Sequence, residues 1–291
     1  MSNSSRWIAA ALALLALAGC RQAQPVTPAL WQVDGPHGEK AWLFGTIHAL
    51  PRPVAWRSAA VNTALAQADR IVLEVAEIDD QAALETSFAQ LAAAPQPIAL
   101  RTRLPANTAA SFDRFVTQYK VDPAPLAKLD TWAAAIILAQ AAQADAGSDS
   151  ANGIDRAVKK AAGSRPVEEF EGADRQFRIF DGLPEADQRD LLGAVIADAG
   201  SARADTRALE QEWQRGDLAA MERETTTGMM ADPELRAALL VQRNQAWRDQ
   251  LVIMLARGQR PFVAVGTAHL AGPEGLPALL ASRGYRVRRI Q

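Results

Sequence analysis

Leu43-Phe44-Gly45-Thr46-Ile47-His48 near the front of the chain and Ala264-Val265-Gly266-Thr267-Ala268-His269 near its end share one pattern: an apolar run, a glycine, two residues and a histidine. Each run, Ala41 to Phe44 and Pro261 to Val265, reads as a buried strand, and a glycine at its end lets the backbone turn without a Cβ penalty. A proline follows soon after each copy, Pro51 and Pro273. His48 and His269 are therefore expected just past strand tips, where open α/β sheets collect ligands and catalytic groups. The chain has 3 histidines in 291 residues, so these two phrases hold most of its imidazole. The remaining one, His37, falls in the turn cluster Asp34-Gly35-Pro36-His37-Gly38 and reads as a solvated turn residue.

Working outward, Leu30 to Val33 and Lys40 to Phe44 flank that turn and predict a hairpin. Ala55 to Gln67 has the alanine-rich pattern of a helix. Ile71-Val72-Leu73-Glu74-Val75-Ala76 predicts a strand apolar on both faces, as in a sheet covered by helices. Glu74 interrupts that run. Alternation puts it on the face shared by Val72 and Ala76, where a carboxylate needs a counter-charge, hydrogen bonds or a metal. Residues 80 to 260 read as largely helical, with helices over 81–93, 107–119, 131–143, 152–162, 184–197, 206–215, 218–224 and 233–257. Ile98 to Leu100 reads as a small strand or extended link. Pro166 to Phe170 is a short strand candidate, and alternation would turn only one of Glu168 and Glu169 inward. Asp155, in a helix's first turn, reads as cap or dipole chemistry.

The last long helix carries an apolar stripe through Leu235, Leu239, Trp247, Leu251 and Met254, and Arg243 falls in it with Asn244 adjacent. A guanidinium on an inward face needs a carboxylate, a ligand anion or an escape to water. A structural pair with Glu74 or Glu168 and a role in a site stand as alternatives. A strand over 261–265, a helix over 276–283 and a strand over 285–290 close the chain. The expected fold class is α/β, a mixed central β-sheet flanked by helices with a large, mostly helical insertion.

A formal charge of -2 leaves no basic surplus for a nucleic-acid partner. No Walker loop, no Gly-x-Gly-x-x-Gly after a strand, no Gly-x-Ser-x-Gly and no His-Glu-x-x-His occurs, so nucleotide binding, serine-esterase and zincin chemistry have no motif. At the front, Arg6 precedes the apolar stretch Trp7 to Ala18, which is too short to span a bilayer. It ends in Leu17-Ala18-Gly19-Cys20, with the chain's only cysteine at the cleavage point. This resembles the lipobox of bacterial lipoproteins. It implies a signal peptide over 1–19, a lipidated tether over 20–29 beginning at acylated Cys20, and a domain over 30–291. By the same resemblance, Arg21 in place of Asp implies sorting to the outer membrane of a Gram-negative cell, with the domain facing the periplasm.

Two neutral imidazoles and a carboxylate, His48, His269 and Glu74, form a common divalent-metal set with coordination sites left for water. An ion there would acidify bound water and polarise a carbonyl. Arg243 or Asn244 would then stabilise an oxyanion. Without a metal, one histidine would act as general base, oriented by Glu74.

Several stretches together carry a family resemblance. They are Leu43 to His48, Leu73-Glu74-Val75, Gly153-Ile154-Asp155, Glu168 with Gln176, Trp213 with Gly216-Asp217, Arg243-Asn244, and Gly266 to Leu270 running on to Gly284-Tyr285. With these the chain resembles the TraB/GumN family, whose animal relatives include the Tiki proteases. It departs from the family's frequent Lys-Pro-Trp with Leu129-Asp130-Thr131-Trp132. The resemblance implies a peptidase-like hydrolase using a divalent ion (manganese, cobalt or zinc) at His48, Glu74 and His269, with a peptide or other periplasmic substrate. It extends to the erythromycin esterase and ChaN-like superfamily, where a mixed sheet is wrapped by helices and no uniform metal requirement holds. The alternative expectation is a non-catalytic lipoprotein that binds a ligand or signals, linked to exopolysaccharide production.

Overall fold

The structure, a computed structural model, describes residues 26–291; the expected signal peptide, Cys20 and the tether up to residue 25 lie outside the described residues. Val26 and Ala29 are buried, and the Thr27 amide donates to the Gln214 carbonyl at 2.7 Å, so the last four tether residues belong to the packed domain.

Six strands form one sheet: β1 (Leu30–Asp34), β2 (Lys40–Thr46), β3 (Arg70–Leu73), β4 (Val167–Glu169), β5 (Pro261–Gly266) and β6 (Arg286–Arg289). Their order is β4-β3-β5-β2-β1-β6. The first four in that order run parallel, while β1 pairs antiparallel with both β2 and β6. This is the mixed sheet the sequence predicts, and the hairpin falls where it was expected, Leu30 opposite Phe44 and Asp34 opposite Lys40.

Alternation divides the central strands between two cores, because successive side chains of a strand leave by opposite faces. Trp42, Phe44, Phe262 and Ala264 pack with Val61, Leu65 and Val158 on one side. Ala41, Leu43, Val263 and Val265 pack with Trp247, Leu251, Leu255 and Leu276 on the other. Parallel strands need both faces covered, and these are. The helices that do so, and the lobe beyond them, are α1 (Ala59–Gln67), α2 (Gln81–Leu91), α3 (Leu100–Arg103), α4 (Ala106–Gln118), α5 (Pro123–Leu126), α6 (Thr131–Asp145) and α7 (Ile154–Lys160). They continue with α8 (Ala173–Asp181), α9 (Glu185–Asp198), α10 (Ala202–Arg215), α11 (Leu218–Glu224), α12 (Pro233–Arg236), α13 (Gln242–Ala256) and α14 (Leu276–Ala281). A third core, centred on Trp132, Leu138 and Leu192, lies within the helical lobe. Among the described residues no helix is long and apolar enough to cross a membrane.

Three expectations change. The first helix starts at Ala59 rather than Ala55, because the Ser58 hydroxyl caps it by accepting from the Val61 amide. Strand β3 stops at Leu73, so Glu74 stands beyond the strand end instead of on one of its faces. Leu100 opens the short helix α3 rather than a strand. The predicted helix over 233–257 holds, with a π-helical turn at Ala237–Val241 joining α12 to α13. The sequence reading also misses α8. Its nine residues sit between Gly172 and Gly182 and four of them are charged, so only Phe177, Ile179 and Phe180 carry a strong apolar signal.

Trp213 of α10 ties the lobe to the sheet. Its ring is 1% exposed, and its indole N–H donates to the Gly45 carbonyl at 2.9 Å, inside the first histidine phrase. Trp213→Phe is expected to cost about 1 kcal/mol for the lost buried bond, and Trp213→Ala about 3–5 kcal/mol for the ring and its cavity. Urea midpoints measure both. A midpoint for Trp213→Ala equal to wild type would show that α10 does not clamp the end of β2.

Candidate active site

Three neighbouring parallel strands, β3, β5 and β2, end at the same edge of the sheet, and each hands one functional residue across it: Glu74, His269 and His48. The register Gly45↔Val265 and Thr46↔Gly266 sets the two glycine-histidine phrases side by side, one residue out of step. Their glycines serve closeness. A Cβ on Gly45 would lie 2.6 Å from the Thr267 hydroxyl oxygen, and one on Gly266 would lie 3.2 Å from His48 Nε2 and 3.3 Å from Glu74 Oε1. Neither glycine has a positive φ, so the turning role expected of them gives way to a packing one.

Glu74 is the electrostatic centre. It is 6% exposed; Oε1 accepts the Gly266 amide at 2.7 Å, while Oε2 accepts Arg243 Nη2 at 2.8 Å and Gln176 Nε2 at 3.4 Å. Burial pushes its carboxyl up, but His269, His48, Arg243 and the Gly266 amide overrule burial and hold it at about 2. Arg243 also donates through Nε to both Glu171 oxygens at 3.1 Å and through Nη1 to the Leu239 carbonyl at 3.0 Å. Nη1 further meets His269 Nε2 at 3.3 Å, and Nη2 meets Glu171 Oε2 at 3.0 Å. Burial alone would lower the guanidinium; the Glu74 and Glu171 carboxylates raise it instead. Hydrogen bonds to Glu74, Glu171, the Leu239 carbonyl and His269 thus occupy most of its N–H groups, and the remaining one lies beside the Glu171 carboxylate. Arg243, expected as an oxyanion donor, is placed here as the counter-ion of two carboxylates.

His269 is locked. Its Nδ1 lies 2.6 Å from Asn244 Oδ1, and Asn244 Nδ2 donates to the Glu274 carbonyl at 2.8 Å. That second bond fixes the amide's orientation, so Nδ1 carries the ring proton and Nε2 holds the lone pair. Asn244 therefore orients an imidazole and, being fully buried, does not reach an oxyanion. Burial pushes His269 down to about 3, with Arg243 and His48 adding to burial against the pull of Glu74, so the ring is neutral.

His48 is the open member. Its Nδ1 lies 2.8 Å from Asp155 Oδ2, whose other oxygen accepts the Thr46 hydroxyl at 2.6 Å. The Asp155 carboxylate, against the opposing effect of burial and with a smaller pull from Glu74, raises His48 to about 9. Yet 65% of the side chain is exposed. The dyad is set by the start of α7, where the Ile154 amide donates to the Ile47 carbonyl at 2.9 Å. A Cβ on Gly153 would lie 2.3 Å from the His48 carbonyl oxygen. Asp155, expected as helix-end chemistry, thus pairs with His48 at the cavity.

These groups form the floor of a cavity of about 610 Å³ whose far wall comes from the helical lobe. His48, Glu74, Asp155, Gln176, Arg243 and His269 all line it. Glu168 pairs with Arg70 and Glu169 accepts the Ala76 amide at 2.7 Å; neither lines the cavity. The pairing of Arg243 with Glu168 gives way to one with Glu171, which sequence reasoning missed. The Glu171 side chain is 2% exposed and also accepts the Trp247 indole N–H at 2.9 Å. Its sequence signal was the third acid after a short strand, without any sign of direction. His37 is an exposed turn residue, as expected.

The donor types suit a divalent ion, but their arrangement does not form its cage. Among the described residues no group of three or more His, Cys, Asp or Glu side chains is placed to hold a metal. The reason is visible: Arg243 lies against both Glu74 Oε2 and His269 Nε2, and Glu74 Oε1 is taken by a backbone amide.

A histidine-carboxylate dyad and a buried ion network at the C-terminal edge of parallel strands, opening into a cavity, mark the candidate site of an α/β protein. The chain belongs to the TraB/PrgY/gumN family, whose sequence profile matches residues 29–289. No curated protein and no solved structure matches it.

Removing the Asp155 charge tests the dyad. Asp155→Asn is expected to drop the His48 pKa from about 9 toward its ordinary 6.5, read from imidazole proton shifts against pH. A raised pKa makes the pairing's contribution to stability complete below about pH 6.5 and lost as pH rises through about 9. The wild type should therefore lose part of its melting temperature over that window and Asp155→Asn should not. Identical pH profiles would show that the pair is not charged in the folded state.

Proposed function

We propose that the protein is a hydrolase of peptide-type amide bonds, with the His48-Asp155 dyad as its general base, acting as a lipoprotein held in the outer membrane through Cys20 and facing the periplasm. The observation that carries the reading is the contrast between the two imidazoles: His269 has both ring nitrogens engaged, whereas His48 has its Nδ1 on a carboxylate and its exposed ring in the cavity. This is the arrangement in which Nε2 exchanges protons with a bound substrate.

His48 Nε2 takes a proton from water as the water oxygen attacks the amide carbon. Asp155 stabilises the imidazolium so formed. The carbon–nitrogen bond then breaks, and the imidazolium returns the proton to the departing amine, leaving a carboxylic acid and an amine. Gln176 and Arg156 also line the cavity, Gln176 donating to Glu74 Oε2 and Arg156 pairing with Asp79. The Glu74-Arg243-Glu171 network fills the floor, and burial keeps His269 uncharged.

A second reading, a divalent ion at His48, Glu74 and His269, is favoured by one observation: each imidazole is anchored through Nδ1, as metal-bound histidines are. His269 Nε2 also stands 3.9 Å from Glu74 Oε1. That ion would supply Lewis acidity, and binding it requires Arg243 to withdraw.

The test is a quenched-peptide screen on the mature protein with and without chelator and added manganese, cobalt or zinc. Because the base has a pKa of about 9, kcat/KM should climb with pH and level off near there. His48→Ala should lose about 10²–10⁴-fold, and Asp155→Asn should move the limb to lower pH. Activity abolished by chelator and restored by one ion would select the second reading, and activity intact in His48→Ala would end both. For the anchor, Cys20→Ser in the full chain should move the protein from the membrane to the soluble fraction; an unchanged distribution would refute lipidation.

A further inference from the structure

The half of the cavity that the catalytic proposal leaves unused is apolar and aromatic. Phe88 of α2, Ile136 and Ile137 of α6, and Phe177 and Phe180 of α8 line it, all half-buried rather than sealed in the lobe's core. Phe88 stands edge-on to Phe177, ring centres 5.5 Å apart at 75°. Beneath them Trp132 is completely buried, 5.5 Å from the Phe88 ring and 6.2 Å from those of Phe177 and Phe180. An aromatic box resting on a buried indole is a rigid wall, and large apolar side chains left facing a cavity cost stability unless a ligand covers them. The same cavity holds His48 and Asp155, so one molecule can touch both ends.

We infer that this box is the specificity subsite: it receives a large apolar side chain, aromatic or branched aliphatic, of a peptide segment whose backbone crosses the dyad. The inference rests on the hydrolase reading for the cleavage of that segment, and on geometry alone for its binding. Helix α8 joins the two halves of the cavity, because it carries a residue of each. Its Gln176 reaches Glu74 at the floor, and its Phe177, the next residue, forms the box.

The experiment measures binding and cleavage separately. Short peptides differing only in Phe, Leu, Ala or Asp at one position are titrated against the mature wild-type protein and against His48→Ala by calorimetry. They are then offered to the wild type as substrates. Binding should favour Phe and Leu over Ala and Asp by about tenfold or more and should survive in His48→Ala. Phe177→Ala should erase that preference. Ile137→Trp, which fills the box instead of emptying it, should weaken Phe peptides while sparing Ala peptides, with melting curves confirming that each variant is folded. Equal affinity for all four peptides, no binding, or a preference unchanged in both variants would overturn the subsite. Selective binding without cleavage would leave the subsite standing and remove the hydrolase reading; cleavage without selectivity would do the reverse.

Discussion

A carboxylate buried at the edge of a sheet has to be answered by a cation, and here Glu74 is answered by Arg243 from a helix 169 residues further along the chain. Desolvating a single carboxylate is expensive enough that the fold is closed only when that guanidinium arrives. Its arrival seats α13 across the ends of β3 and β5, presses Trp247 against the His269 ring with centres 4.3 Å apart, and brings Asn244 to the imidazole. One guanidinium serves two carboxylates, Glu74 and Glu171, which leaves the floor without surplus positive charge.

That balance explains why two histidines with the same local sequence behave oppositely. His269 sits among groups that already neutralise one another, so burial dominates and the ring stays uncharged. His48 has a carboxylate to itself in Asp155 and open space in front of it, so a proton on the ring is stabilised. Two copies of a phrase thus yield one buried, neutral imidazole and one exposed imidazole paired with a carboxylate. The difference lies in what α7 and α13 bring to them.

The cavity lies between a floor and a wall with separate foundations. The floor belongs to the sheet and the two cores that sandwich it; the wall belongs to the lobe, whose core is its own. On the wall, Gln176 reaches the strand ends through Glu74 while the apolar side chains face the cavity, whereas a change at Gly153 or Gly266 strikes the dyad or Glu74 at once. A scaffold divided in this way keeps its chemistry while its ligand preference varies.

Much of this was legible in the chain itself. Apolar runs broken by glycine announced the central strands, because a strand buried on both faces needs an unbroken apolar run and helix signals were strong between them. Glu74 and Arg243 stood out because a charge in an apolar stripe is costly anywhere. Partner identity was not legible. Glu171 rather than Glu168 meets Arg243, and Asp155 leaves its helix-end role to hold His48, because each pairing depends on how far a strand runs and how a helix enters. β3 stops one residue before Glu74, and α7 starts against the His48 carbonyl. Helix α8 escaped notice because a short, charged stretch shows its apolar side only when something exists to pack against it. Local sequence determined which residues had to be buried, exposed or paired; only the tertiary structure decided with whom, since charge and space are settled between segments far apart in the chain.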